Sequence, residues 1–219
     1  MREPHASPHD QKGRSAVFAI REHRATTEFA RTVSTIFNPF LTATALFIIV
    51  SHAFAHHSTL QFWVYSTVGI LCFTVAPLTF VLYLYLTGRI SDFDMSERPE
   101  RERVFAGFVV IYLVAAISLS LVHAPVQLEA ITWGYWGTAV ATMVITRWWK
   151  ISTHAFGIAG PFAAMFVLFN LQPLPYVALV PLVGWARVYL RSHTIGQVLG
   201  GMALAVANTA IFFRLFHIL

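Results

Sequence analysis

The sequence is poor in charge. Of its 219 residues, 11% are Asp, Glu, Lys or Arg, against about 25% in soluble domains. A surface built from so few charges excludes water as its main solvent. There is one cysteine, Cys72, and it lies inside an apolar run. An internal disulfide and a cysteine-based metal site are therefore excluded. No Gly/Ser-rich or Pro-rich linker follows the polar start and no internal repeat is visible, so a single membrane domain is expected. The first 14 residues, MREPHASPHDQKGR, lack the apolar core of a signal peptide and read as a disordered polar segment. What the chain has instead is apolar surface: 57% of its residues are hydrophobic and its mean hydropathy is +0.63.

Apolar runs recur at 37 to 55, 61 to 87, 105 to 123, 130 to 147, 155 to 170, 174 to 190 and 195 to 213. A helical span needs about 20 residues, with a range of about 17 to 25. The expected fold is thus all-α: a polytopic transmembrane helix bundle of about seven spans, or six if the short fifth or the Arg187-bearing sixth is re-entrant. Residues 15 to 35 mix Arg21, Arg24 and Arg31 with Val17, Phe18, Ile20, Phe29 and Val33. This pattern suits a helix lying in the headgroup layer, so residues 1–36 form an N-terminal segment and residues 37–219 the membrane domain. Pro77, Pro161 and Pro181 fall inside runs, where neighbours must satisfy the carbonyls they free. Gly196, Gly200 and Gly201 bring small residues to the start of the last span, which permits close helix packing.

The net charge of +5 is not a nucleic-acid signal, because the basic residues sit between apolar runs rather than in one patch. Arg2, Lys12, Arg14, Arg21, Arg24 and Arg31 precede the first span. Arg89, Arg98, Arg101 and Arg103 separate spans two and three, Arg147 and Lys150 separate four and five, and Arg187 and Arg191 separate six and seven. In a seven-span chain all of these share one face, leaving Arg214 near the other. By the positive-inside rule that face, with the N-terminus, is cytoplasmic.

Three loops on that face carry the polar chemistry: GRISDFDMSERPERERV (88 to 104), RWWKISTHAFG (147 to 157) and ARVYLRSHTIGQVLGG (186 to 201). Ser152 and His154 stand at the start of the fifth span and His193 at the start of the seventh. Helix N-termini offer unpaired N–H groups and a positive dipole end to an anion such as phosphate. Arg187, six residues before His193, adds a planar charged fork matched to phosphate oxygens. One imidazole can attack phosphorus while the other protonates the departing oxygen.

These loops resemble the motifs of the type 2 phosphatidic acid phosphatases, which share a catalytic core with vanadium haloperoxidases. The third motif of that family, Ser-Arg, five residues, His, three residues, Asp, aligns without gaps over residues 186 to 201 and keeps Arg187 and His193. The second, Pro-Ser-Gly-His, is matched by Ile151-Ser152-Thr153-His154, which keeps serine and histidine. The first, Lys, six residues, Arg-Pro, is met at Arg98-Pro99, with Ser91 in the lysine position and Arg89 the nearest earlier base. The resemblance implies a metal-independent lipid phosphatase without a cofactor, acting on a polyprenyl diphosphate or phosphatidic-acid-like lipid through a phosphohistidine. In it His193 is the nucleophile, His154 the acid, and Arg98, Ser152 and Arg187 hold the phosphoryl oxygens, with Arg89 or Arg101 supplying the missing cation. Gln197 replaces the family's aspartate. Four residues on along a helix, its carbonyl can accept the ring N–H of His193, or a loop carboxylate such as Asp92 or Asp94 takes that role.

Two other readings stand beside this one. A catalytically silent relative, kept as a subunit of a membrane complex or homo-oligomer, is motivated by Gln197, Ile151 and Thr153. A prenyl-transferring enzyme would use Asp92 and Asp94 to bind magnesium diphosphate, but a second aspartate-rich loop is lacking. His52, His56, His57 and His123 gather on the opposite face without a carboxylate or cysteine, so no metal is assigned to them.

Overall fold

A computed structural model describes residues 24–55, 58–93, 95 and 97–219. The polar segment with Arg2, Lys12, Arg14 and Arg21, and residues His56, His57, Asp94 and Ser96, lie outside the described residues.

Eight α-helices carry the described chain, and no strand occurs among those residues. They are α1 (Arg24–Ile36), α2 (Pro39–Phe54), α3 (Thr59–Leu86), α4 (Arg98–Leu121), α5 (Val126–Ile145), α6 (Thr153–Phe169), α7 (Leu179–Tyr189) and α8 (Ile195–Leu215). Each of the seven expected runs is helical. Three helices, α3, α4 and α8, are long and apolar enough to cross a bilayer, and a fourth span arises if α1 and α2, bent by 47°, count as one. On α4 the exposed side chains Val110, Val114, Ile117 and Leu121 form a stripe at helical spacing, the pattern of a face whose solvent is lipid. Ile195, Leu199 and Val206 do the same on α8. The bundle is consistent with an integral membrane protein.

Local sequence fixes the helix ends. Asn38 caps α2 by accepting from the N–H groups of Phe40 and Leu41 at 2.9 and 3.0 Å, with Pro39 next in line. Ser152 caps α6, accepting from Ala155 N–H at 3.4 Å. Thr194 caps α8 in a reciprocal capping box with Gln197. Residues with positive φ follow five of the helices: Gly88 (φ 67°) after α3, His123 (φ 50°) after α4, Asn170 (φ 54°) after α6, Arg191 (φ 56°) after α7 and His217 (φ 57°) after α8. At the end of α7 the Arg191 N–H donates to Val188 O at 2.9 Å and the Ser192 N–H to Arg187 O at 3.1 Å, the paired bonds of a Schellman turn. His123, expected only as part of a histidine cluster, has this structural place.

Helix α6 sits at the centre, packed against α2, α7 and α8, while α5 packs on α4 and α8. Pro161 lacks the N–H that would bond Gly157 O one turn back. Thr42 on α2 donates to that carbonyl instead, at 2.8 Å. The close approach this needs exists because Gly157 has no side chain: a Cβ there would stand 2.6 Å from Pro39 Cβ. Pro77 is handled differently, by a π-helical turn over Leu71–Val75 just before it. Around that turn Phe73 stacks on Phe47 and Tyr112, with ring centroids 4.6 and 4.8 Å apart.

At the start of α8, Gly201 lies so close to α6 that a Cβ would stand 2.7 Å from Ser152 O, and one at Gly200 would stand 2.5 Å from the Trp149 ring. The nearest atoms to a Cβ at Gly196 are 3.9 Å away. Two of the three expected packing glycines therefore set close contacts of α8, Gly201 with the start of α6 and Gly200 with the connection before it. Of the stretch expected to lie in the headgroup layer, residues 24–36 form α1, whose buried Ala30 and Val33 cluster with Ile158, Phe162, Val183 and Ala186.

Candidate functional site

The caps and glycines just described bring the second and third loops together. The Ser152 N–H donates to Gln197 O at 3.2 Å, which locks the start of α6 to the start of α8. Ser152 is fully buried, Arg187 is 5% exposed and His193 is 9% exposed, a strongly withdrawn group for residues of these types. His154 is half-buried, two residues into the same turn as Ser152.

Arg187 stands in the last turn of α7. Its carbonyl accepts from the N–H groups of Ser192 and His193, at 3.1 and 3.3 Å. Its Nη1 donates to Ser34 Oγ on α1 at 2.9 Å, both groups being buried. One residue thus holds the His193 turn with its backbone and α1 with its side chain. Ser34 has no signal in the sequence, since it lies 153 positions away in a segment that reads as a surface helix. A cavity of about 420 Å³ opens beside this pair, lined by Arg31, Ser34, Thr35, Arg187, Leu190 and Ser192.

The His193 ring is held from its own helix start. Nδ1 lies 3.2 Å from Gln197 Oε1, and the same oxygen accepts the Thr194 N–H at 3.1 Å. An atom that accepts from a backbone N–H is the amide oxygen, so Nδ1 is the donor, and in the neutral ring Nε2 carries the lone pair. The contact expected between Gln197 and His193 is present in the geometry.

The first loop contributes differently from its motif alignment. Arg98, the residue before Pro99, is exposed, whereas Arg101 one turn later is 8% exposed. Arg101 Nε donates to Thr146 Oγ1 at 3.0 Å and Nη1 to Met95 O at 3.0 Å. Thr146 and Ser152 bracket the short segment between α5 and α6, so the buried guanidinium enters from the same end of the bundle. Thr146 was not anticipated. Arg89 is exposed, with its guanidinium 5.7 Å above the Tyr83 ring and its carbonyl accepting from Arg103 Nη1 at 2.9 Å. Of the two candidates for the missing cation, Arg101 is the buried one.

Two carboxylates of the first loop, Glu100 and Asp92, are engaged by Ser91. Glu100 accepts from Ser91 N–H at 2.7 Å and from Ser91 Oγ at 3.2 Å, and Asp92 from Ser91 Oγ at 3.5 Å. Among the described residues, no group of three His, Cys, Asp or Glu side chains converges as a metal site requires. Away from the polar cluster, a cavity of about 490 Å³ lies between α6, α7 and α8, walled by apolar side chains including Phe162, Phe166, Val180, Met202 and Val206.

Comparison with models of protein families, with curated proteins and with solved structures gave no match. The chemistry of the site therefore rests on its own residues.

Proposed function

We propose that this chain is a membrane lipid phosphatase that removes a phosphoryl group from a lipid phosphomonoester or diphosphate through a phosphohistidine intermediate. The observation that carries the proposal is the held imidazole: with Nδ1–H bonded to Gln197 Oε1, Nε2 has the lone pair a nucleophile needs. Nε2 attacks phosphorus as the P–O bond to the lipid breaks, and His154 gives the departing oxygen its proton. Water then attacks the phosphohistidine with His154 as base, releasing phosphate and free His193. Charge on the non-bridging oxygens is met by Arg187, by Arg98 or the buried Arg101 in the first loop, and by the N–H groups and Ser152 hydroxyl at the start of α6.

In this proposal the seven helices α2 to α8 all reach across the bilayer, which thins around the short α6 and α7, and α1 lies near the headgroups. The loops bearing Arg101, Ser152 and His193 face the cytoplasm with the N-terminus, and the lipid tail enters between helices, where the apolar cavity between α6, α7 and α8 offers room. No metal or cofactor takes part, because guanidinium groups and helix N-termini supply the positive charge.

Phosphate release from polyprenyl diphosphates and phosphatidic acid by purified, reconstituted protein tests the proposal. Release is expected to survive chelation of divalent ions, to be inhibited by vanadate, and to fall by at least a factor of about 10³ in His193→Asn, the scale of loss when an acting nucleophile is removed. Strict magnesium dependence would move the chemistry to Asp92 and Asp94, and indifference to His193→Asn would overturn it.

A further inference from the structure

The cavity beside Arg187 has a wall that the three motif loops do not supply. Arg31, Ser34 and Thr35 come from α1, three and four residues apart, so they share one helix face. Ser34 Oγ accepts from Arg187 Nη1, which directs its own hydrogen elsewhere and leaves it as a donor. With the Thr35 hydroxyl and the Arg31 guanidinium, α1 brings a donor and positive charge to the cavity beyond the Arg187 guanidinium.

We infer that α1 forms a second phosphoryl subsite, with Arg31 as its cation, and that the ligand class of this cavity is a diphosphate carried on a lipid. The inference rests on the phosphatase reading for which phosphorus reacts, but the binding it asserts stands without turnover. The terminal phosphoryl group lies at Arg187 and His193, and the lipid-bearing phosphoryl group lies against Arg31, Ser34 and Thr35. When His193 Nε2 bonds to the terminal phosphorus, the bridging P–O bond breaks and the lipid monophosphate leaves from the α1 subsite, taking its proton from His154. Glu28 pairs with Arg31 at 3.1 Å, both side chains being mostly exposed. Such a pair is weak in water, so an incoming diphosphate competes for Arg31 at little cost, and Glu28 acts as the subsite's internal competitor.

Two measurements test this on the full-length protein in detergent. Calorimetric titration of the His193→Asn protein with methylenediphosphonate and with inorganic phosphate should show the diphosphonate binding at least about tenfold more tightly. That preference should shrink several-fold in Arg31→Gln and grow in Glu28→Gln, while Arg24→Gln, on the same helix but outside the cavity, leaves it as it was. Equal binding of the two probes, or a preference indifferent to Arg31→Gln and Glu28→Gln, overturns the subsite. The second measurement is the ratio of turnover on a prenyl diphosphate to that on the matching prenyl monophosphate, which should fall about tenfold in Arg31→Gln. Inorganic diphosphate turned over as well as the prenyl diphosphate would overturn the lipid as carrier. A protein that binds the diphosphonate in this pattern but releases no phosphate from any lipid retains the subsite and loses the phosphatase reading.

Discussion

Gln197 Oε1 serves two donors at once, the Thr194 N–H that closes the cap of α8 and the Nδ1–H of His193. An amide oxygen in that place fixes the tautomer and the ring plane. It does not offset the positive charge that develops on an imidazole bonded to phosphorus, as a carboxylate would. In a serine-protease triad the loss of the orienting carboxylate costs about 10⁴ in turnover, so the proposed chemistry predicts slow turnover at this site. Gln197→Glu keeps the chain length that the capping box uses and adds a charge that the N-terminus of a helix favours. We expect it to raise turnover about tenfold or more in single-turnover assays, and Gln197→Leu to abolish turnover by freeing the ring. A wild-type protein without activity on any lipid, not rescued by Gln197→Glu, would leave the silent-subunit reading in place.

The same residue shows how far the sequence reaches at this scale. Its spacing of four from His193 was enough to predict the contact, although His193 stands one residue before the Thr194 cap and outside the helix. Ser34 and Thr146, the hydroxyls that receive Arg187 and Arg101, were not legible, because a hydroxyl on a helix or at its end has no pattern until its partner's position is known. The motif points to Arg98 and leaves Arg89 or Arg101 open as the second cation, and the burial of Arg101 was not legible for a related reason. A motif aligns letters, whereas burial follows the turn of the helix, and the residue three positions on faces inward.

Among the elements, α6 depends on a repair made from outside it. Pro161 removes the donor for Gly157 O, and Thr42 replaces it from α2 at 2.8 Å. Thr42→Val leaves that buried carbonyl without its partner, and a lost partner of this kind costs about 1–3 kcal/mol. Pro161→Ala restores the intrahelical N–H, so the cost of Thr42→Val should shrink when both changes are made. Unfolding of the four proteins in mixed micelles, read as a double-mutant cycle, measures the coupling. Additive losses would show that Thr42 and Pro161 act independently. The need for such a repair was predictable from the proline, but its donor was not, since α2 and α6 are far apart in sequence.

For the whole molecule, the outcome to decide is which side of the membrane the site faces. Seven crossings put fourteen of the fifteen Lys and Arg on one side, and the proposal makes that side cytoplasmic. With Cys72→Ala as background, a single cysteine at Trp148, 71% exposed beside the site, tests this against one at Leu171, equally exposed beyond the far end of α6. An impermeant thiol reagent added to intact cells should label position 171 and spare 148. Labelling at 148 alone would reverse the orientation, and labelling at both would show that α6 does not cross.

Hydrophobicity and its run lengths determined that the regular structure of the described chain is helical and roughly where each helix lies, because these follow from local spacing and from the cost of leaving backbone groups unbonded in an apolar solvent. The sequence also determined that histidine, arginine and serine return repeatedly to helix starts at one end. Tertiary structure decided what those residues meet. Gly157 and Gly201 let backbones approach closely enough for Thr42 to reach α6 and for Ser152 to bond Gln197. Packing of α1 on α6 and α7 turned a segment that reads as a surface helix into a wall of the site. Contacts of that kind depend on where two distant stretches cross, and a crossing is set by the fit of whole faces, which no single stretch of sequence contains.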